Sequence, residues 1–228
     1  HNVIITEYNR SVQGFIIGKV MSIVNTSWET IQPPPSGMGK TNYLTAITQV
    51  SVSGKDEIVE IIDVEKVLAE IIDYDTSISE EVLDDQIVNH FNDKRVLIVD
   101  DSSTARKQIR DTLEQLGISI IERKNGAQAL ALLKEWADEG KRPSDEILLM
   151  FTDAEMPEMD GYRLTAEVRS DPRMSDLFIA LNTSLSGSFN DAMVEKVGCN
   201  RFISKFQPDM LVDVAQQRLR EYLTSHNT

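Results

Sequence analysis

Cysteine is all but missing from this chain. Cys199 stands alone among 228 residues, so no disulfide can form within it, and nothing speaks for an oxidising compartment. A lone cysteine of this kind reads as a small buried residue. Histidine is equally sparse: His1, His90 and His226 lie at the termini and in a polar stretch, too scattered to converge on a metal, and no Cys/His spacing suits zinc. No apolar run approaches a membrane span, and the opening His1-Asn2-Val3-Ile4-Ile5 lacks the basic region and cleavage pattern of a signal peptide. The chain therefore reads as soluble and cytoplasmic, without direct membrane insertion. Basic residues are outnumbered 23 to 37, for a formal net charge of -14 and a pI near 4.6. Such a surface repels the phosphate backbone, which excludes nucleic acid as a partner.

A hydrophobic content of 41% is enough for one large core or two small ones. Residues 1–62 are rich in β-branched residues, in the stretches Val3–Thr6, Val12–Ile17, Val20–Val24, Tyr43–Val50 and Glu57–Ile62, which predict short strands of an all-β unit. Pro33-Pro34-Pro35 cannot lie inside a sheet, so Gln32–Thr41 is expected as a loop. Asp63–Ile71 sets Val64, Val67, Leu68 and Ile71 at helical spacing, closing a first segment over residues 1–72. Residues 73–94 carry seven acidic side chains and few large apolar ones, the composition of a solvated linker. Val82, Leu83, Ile87 and Val88 could still form one turn-rich helix that docks on a neighbour.

From residue 95 to 223 apolar strands alternate with longer amphipathic stretches. Strands are expected at Val96–Val99, Ile118–Glu122, Ile147–Thr152, Phe178–Asn182 and Arg201–Ile203. Helices are expected at Ser103–Leu116 and near 126–136, 160–169, 188–197 and 209–223. Five such βα units predict a parallel sheet covered on both faces, with its chemistry at the carboxyl ends of the strands.

The polar residues fall at those ends: Asp100 and Asp101 after the first strand, Asp153 after the third, Thr183 after the fourth and Lys205 after the fifth. Crowded carboxylates stay ionised only beside a cation, and oxygen ligands without imidazole or thiolate select Mg²⁺. With charge so neutralised, the Asp153 carboxylate can attack phosphorus in line and form an acyl phosphate. Lys205 would stabilise the equatorial oxygens, and the Thr183 hydroxyl would donate to the new phosphoryl group. Aspartates after a strand also cap helices, which would account for Asp100 and Asp101 taken alone. It does not account for Asp153, Thr183 and Lys205 arriving in order on later strand ends.

Val96-Leu97-Ile98-Val99-Asp100-Asp101, followed by Thr152-Asp153-Ala154-Glu155-Met156-Pro157-Glu158-Met159-Asp160-Gly161, resembles the receiver domain of two-component response regulators. The resemblance spans residues 95–223 and implies a flavodoxin-like fold with Asp153 as phosphoacceptor. It further implies that Asp101 and Asp153 bind Mg²⁺ directly, that Asp100 helps through water, and that the backbone carbonyl of Glu155 completes the set. Phe202 matches the family's switch aromatic, whose rotamer follows the Thr183 hydroxyl. One departure is Phe206, which stands after Lys205 where receivers usually carry proline and which favours a trans peptide there.

In the first segment, Gly37-Met38-Gly39-Lys40-Thr41 is similar to the end of a phosphate-binding loop, but Pro34 occupies the place of its first glycine and no strand leads in. A surface loop is the better reading, and no nucleotide cofactor is expected. Gln13–Val20, Ile31–Pro35 and Glu60–Leu68 instead resemble the carboxy-terminal part of a CheW-like coupling domain, a partial β-barrel. Joined to a receiver, they resemble the CheV family of chemotaxis proteins. That likeness implies the histidine kinase CheA and chemoreceptors as partners. The segment opens within a strand and lacks the earlier half of a coupling domain. Unpaired strand edges favour a homodimer through it.

The expected function is a phosphorylatable adaptor rather than an enzyme, modulating receptor–kinase coupling or acting as a phosphate sink. A phosphotransferase or phosphatase could use Asp153 as its nucleophile with Glu155 two residues on, and a transcriptional regulator would need a recognition helix that the acidic first segment does not offer.

Overall fold

The computed structural model describes residues 2–8, 11–27, 30–32, 43–52, 55–62, 64, 67, 76–84, 87–91, 93–183, 196, 198–205 and 207–226. The chain divides into two compact units, His1–Asp73 and Tyr74–Thr228.

In the first unit β1 (Asn2–Tyr8) and β2 (Ser11–Ile17) form an antiparallel hairpin. A separate antiparallel sheet joins β3 (Ile31–Gln32), β4 (Leu44–Val52) and β5 (Lys55–Ile62) in that order. Among the described residues these are two open sheets rather than a closed barrel. Val20–Val24, expected as a strand, is described without one. Its side chains are exposed and among the described residues no strand pairs with it, so β-branching alone does not make it a strand. Most of the expected loop at 32–41 and of the expected helix at 63–71 lies outside the described residues.

The second unit holds β6 (Arg95–Val99), β7 (Ser119–Arg123), β8 (Leu149–Asp153), β9 (Ile179–Thr183) and β10 (Arg201–Ser204). They form one all-parallel sheet in the order β7-β6-β8-β9-β10, the flavodoxin-like order. The helices are α1 (Ser103–Glu114), α2 (Gly126–Asp138), the single turn α3 (Pro143–Glu146), α4 (Gly161–Ser170) and α5 (Pro208–His226). The helix expected near 188–197 falls mostly outside the described residues.

Alternation along the strands feeds two cores. Val96 and Ile98 of β6 point to one face, where they meet Ile109 and Leu113 of α1 and Val212, Ala215 and Leu219 of α5. Leu97 and Val99 point to the other, against Leu130 and Leu133 of α2 and Leu164 and Val168 of α4. Because both faces are covered, these strands read as unbroken apolar runs. Cys199 is partly buried against the second core, and burial pushes its thiol up to about 11, so it remains protonated.

Residues 76–84 and 87–91 pack on the α1–α5 side. Two 3₁₀ turns, Glu80–Val82 and Val88–Phe91, lead into β6. Ile78, Val82, Leu83 and Ile87 lie against the first core, and Phe91 is wholly buried in it. Glu80 and Glu81 stay exposed.

Candidate functional site

The strand ends of the parallel sheet bring the acidic residues together because β6 and β8 are direct neighbours in register, with Val99 opposite Thr152. Asp100 follows β6 and is buried. Its Oδ1 accepts the Ser102 amide at 2.8 Å, and Ser102 in turn caps α1 by accepting the Ala105 amide. Asp153 ends β8, is buried, and accepts the Glu155 amide at 3.3 Å. One carboxylate oxygen each from Asp100, Asp101 and Asp153 lies within 4.8 Å of the others.

Lys205, at the end of β10 and also buried, reaches across this group. Its ammonium donates to Asp153 Oδ2 at 2.8 Å and lies 3.0 Å from Asp100 Oδ2. The second contact is at ion-pair distance without hydrogen-bond geometry, so the buried Asp100 Oδ2 still lacks a hydrogen-bond donor. Three carboxylates against one ammonium leave the pocket short of positive charge. Hard oxygen donors in close approach fit a hard divalent cation.

Burial raises the Asp153 carboxyl from the ordinary 3.8 to about 7; Lys205 opposes the shift and Asp100 reinforces it. The folded chain thus holds this proton more tightly than the unfolded chain. Its stabilising contribution is full below pH ~4 and fades as the pH rises to about 7. A cation must displace the same proton. Stabilisation by Mg²⁺ is therefore expected to grow from pH 5.5 to about pH 7 and to level off above it. Melting with and without Mg²⁺ across this range checks the direction, and a larger shift at the acid end would contradict it.

The remaining expected residues are placed as follows. Thr183 ends β9, paired with Ser204, while its side chain lies outside the described part of the structure, as does Phe206. Phe202 is half-buried on β10 opposite Leu181. The Glu155 side chain is exposed, so its backbone is the part that faces Asp153.

Several supporting residues were not singled out from the sequence. Arg106, a buried cation on α1, donates to the carbonyls of both Asp100 and Asp101. Its signal was present, because position 106 lies three residues before Ile109 and seven before Leu113, on the core face of the helix. Asn125 caps α2 and donates to Glu158 at 2.9 Å, and the Gly126 amide donates to the Met159 carbonyl at 3.0 Å. These bonds brace the loop after Asp153 against the start of α2, with Glu158 held at a positive φ of 67°. Asp160 caps α4 by accepting the Arg163 amide at 2.7 Å.

Known proteins divide the chain in the same way. Residues 96–216 match the response regulator receiver domain, and residues 1–71 match the CheW-like domain. The chain is 26% identical over 216 residues to the chemotaxis protein CheV3 of Helicobacter pylori, covering 92% of this chain and 67% of that protein. It is 28% identical over 217 residues to CheV1 of the same organism, covering 95% and 66%. Against CheY1 of Helicobacter pylori it is 36% identical over 119 residues, which is 51% of this chain and 90% of that one. The chain spans about two thirds of the length of these CheV relatives. No described helix is long and apolar enough to cross a membrane. With the receiver match covering more than half of its residues, the chain belongs to the response regulator receiver family, and it carries that receiver behind a CheW-like domain in the CheV arrangement.

Proposed function

We propose that this chain is a cytoplasmic chemotaxis adaptor whose receiver accepts a phosphoryl group on Asp153 from the histidine kinase CheA in a Mg²⁺-dependent step. The CheW-like segment is the part that meets chemoreceptors and kinase, and phosphorylation either modulates that coupling or drains phosphate from the pathway. The supporting observation is the pocket itself: the Asp153 carboxylate lies at a strand end, 2.8 Å from the Lys205 ammonium, with Asp100 and Asp101 beside it.

Asp100, Asp101, Asp153 and the Glu155 carbonyl would hold Mg²⁺, which when bound supplies charge neutralisation for the incoming phosphoryl oxygens. In the transfer, an ionised Asp153 oxygen bonds to phosphorus as the phosphorus–nitrogen bond of the phosphohistidine donor breaks. The electron pair stays with the imidazole, and the product is an acyl phosphate. Lys205 can turn its ammonium from the carboxylates toward the phosphoryl oxygens. Thr183 would then donate its hydroxyl to the phosphoryl group, with Phe202 following it as the switch. The chain modifies itself and does not turn over a substrate.

The test is labelling of the full chain by acetyl phosphate or phosphorylated kinase with Mg²⁺, read as added phosphoryl mass on the intact protein. Asp153→Asn is expected to remove the label entirely. Undiminished labelling of that variant would refute the assignment, and steady release of phosphate from many equivalents of ester would favour an enzyme instead.

A further inference from the structure

Arg106 is a buried cation that the phosphoryl-transfer reading leaves without a role. It is 7% exposed on α1, one turn past the cap Ser102, and its ion pair is made with Glu122 of β7 rather than with a pocket carboxylate. One nitrogen, Nη1, donates to the carbonyl of Asp100 at 2.7 Å and to that of Asp101 at 3.1 Å. A second, Nε, donates to Glu122 Oε2 at 3.1 Å, and Glu122 is held in turn by Arg110 at 2.7 Å. The Asp100 amide is also tied to β7, donating to the Arg123 carbonyl at 3.2 Å. The short loop bearing the acidic pair is therefore fastened to the neighbouring strand through its main chain.

We propose that Arg106 is a positioning residue for the divalent-cation pocket: by gripping the carbonyls of Asp100 and Asp101 it fixes the backbone from which both carboxylates project. This rests on the reading of the pocket as a Mg²⁺ site. Lys205 offers the contrast, since its ammonium contacts the carboxylate oxygens that a cation would also need. Arg106 adds positive charge to the same crowded region but directs it at carbonyls. Only a guanidinium can do so here, because its planar fork serves two carbonyls and a carboxylate at once, whereas a lysine ammonium is a single point on a flexible stem. The role is that of an outer partner that orients the groups holding a metal.

The test is Mg²⁺ binding by the full chain, measured by titration calorimetry at pH 8 well below melting, for the wild type, Arg106→Lys and Arg106→Met. Loss of an outer orienting partner commonly weakens a metal about 10-fold or more. That loss is expected for both variants, since lysine keeps the charge but not the bridge. Exchange of the Ser102 amide, which donates to Asp100 Oδ1, is expected to accelerate in both variants without Mg²⁺. If Arg106→Met does not fold, Arg106→Lys and Glu122→Gln carry the comparison. Folded variants that bind within about twofold of the wild type, or an Arg106→Lys indistinguishable from it, overturn the positioning role alone. Failure of the wild type to bind Mg²⁺ overturns the pocket reading, and the role of Arg106 with it.

Discussion

Gly161→Ala is expected to lower the stability of the receiver by about 3 kcal/mol or more and to slow labelling of Asp153 by about a hundredfold or more. A Cβ at position 161 would sit 2.0 Å from the carbonyl oxygen of Asp153 and 2.9 Å from its carbonyl carbon, with Leu181 Cδ2 at 3.1 Å. The leucine could turn aside, but the main chain of Asp153 could not. Glycine is needed here for close approach, because α4 starts directly against the end of β8 and the Gly161 amide donates to the Ala154 carbonyl at 3.1 Å. To admit a methyl group, either α4 must lift from the sheet or Asp153 must shift relative to Lys205. The first outcome lowers the melting temperature and the second displaces the Asp153 carboxylate. Melting and the rate of labelling by acetyl phosphate, measured together, separate the two. A variant with unchanged melting and wild-type labelling would show that the contact is not tight.

The receiver was legible in the sequence where physics leaves a periodic or positional mark. The runs at Val96–Val99 and Ile147–Thr152 have no polar alternation because the sheet is covered on both sides, and the residues that break each run lie at the strand ends. Asp100, Asp101, Asp153 and Lys205 could thus be gathered before any coordinates, and the structure brings all four together. What was not legible depends on distance. The need for glycine at 161 comes from a main chain eight residues earlier, so the motif that ends on Gly161 holds the residue but not the contact that requires it. The turn Pro143–Glu146 is too short to show a period, and Val20–Val24 has strand-forming residues but no strand beside it. The acidic stretch 73–94 shows the limit of composition. Of its described charges Glu80, Glu81 and Asp93 face solvent while Asp84 pairs with Arg220, and the dispersed apolar residues Ile78, Val82, Leu83 and Ile87 pack against the core around two 3₁₀ turns.

That packing makes Phe91→Ala the largest stability change expected outside the pocket, about 3–5 kcal/mol. Phe91 is fully buried in the same core as Val96, Leu113 and Leu219, so truncation removes an aromatic ring from the centre of the unit rather than from its edge. The segment around it is fastened along α5 by polar bonds. The Ser79 amide and hydroxyl donate to Asp209 at 3.0 and 2.8 Å, and the Asp84 amide donates to Gln216 at 2.7 Å. Gln216 returns a bond to the Val82 carbonyl at 2.8 Å, and Arg220 pairs with Asp84 at 2.7 Å. Asp209, Gln216 and Arg220 are spaced by seven and four residues, so they form one stripe along the helix. The Ser79–Asp209 and Arg220–Asp84 contacts are exposed and contribute about 1 kcal/mol or less each, unlike those of the buried Gln216, which makes Ser79→Ala the mild comparison. If residues 76–91 were an independent appendage, Phe91→Ala would loosen only their amides and leave the unfolding midpoint in place. Because Phe91 belongs to the core, denaturation should shift for the whole unit, with β6 losing exchange protection alongside residues 87–91. The start of this stripe, Asp209, lies four residues after Lys205, so the chain entering the receiver is bonded to the first turn beyond the pocket.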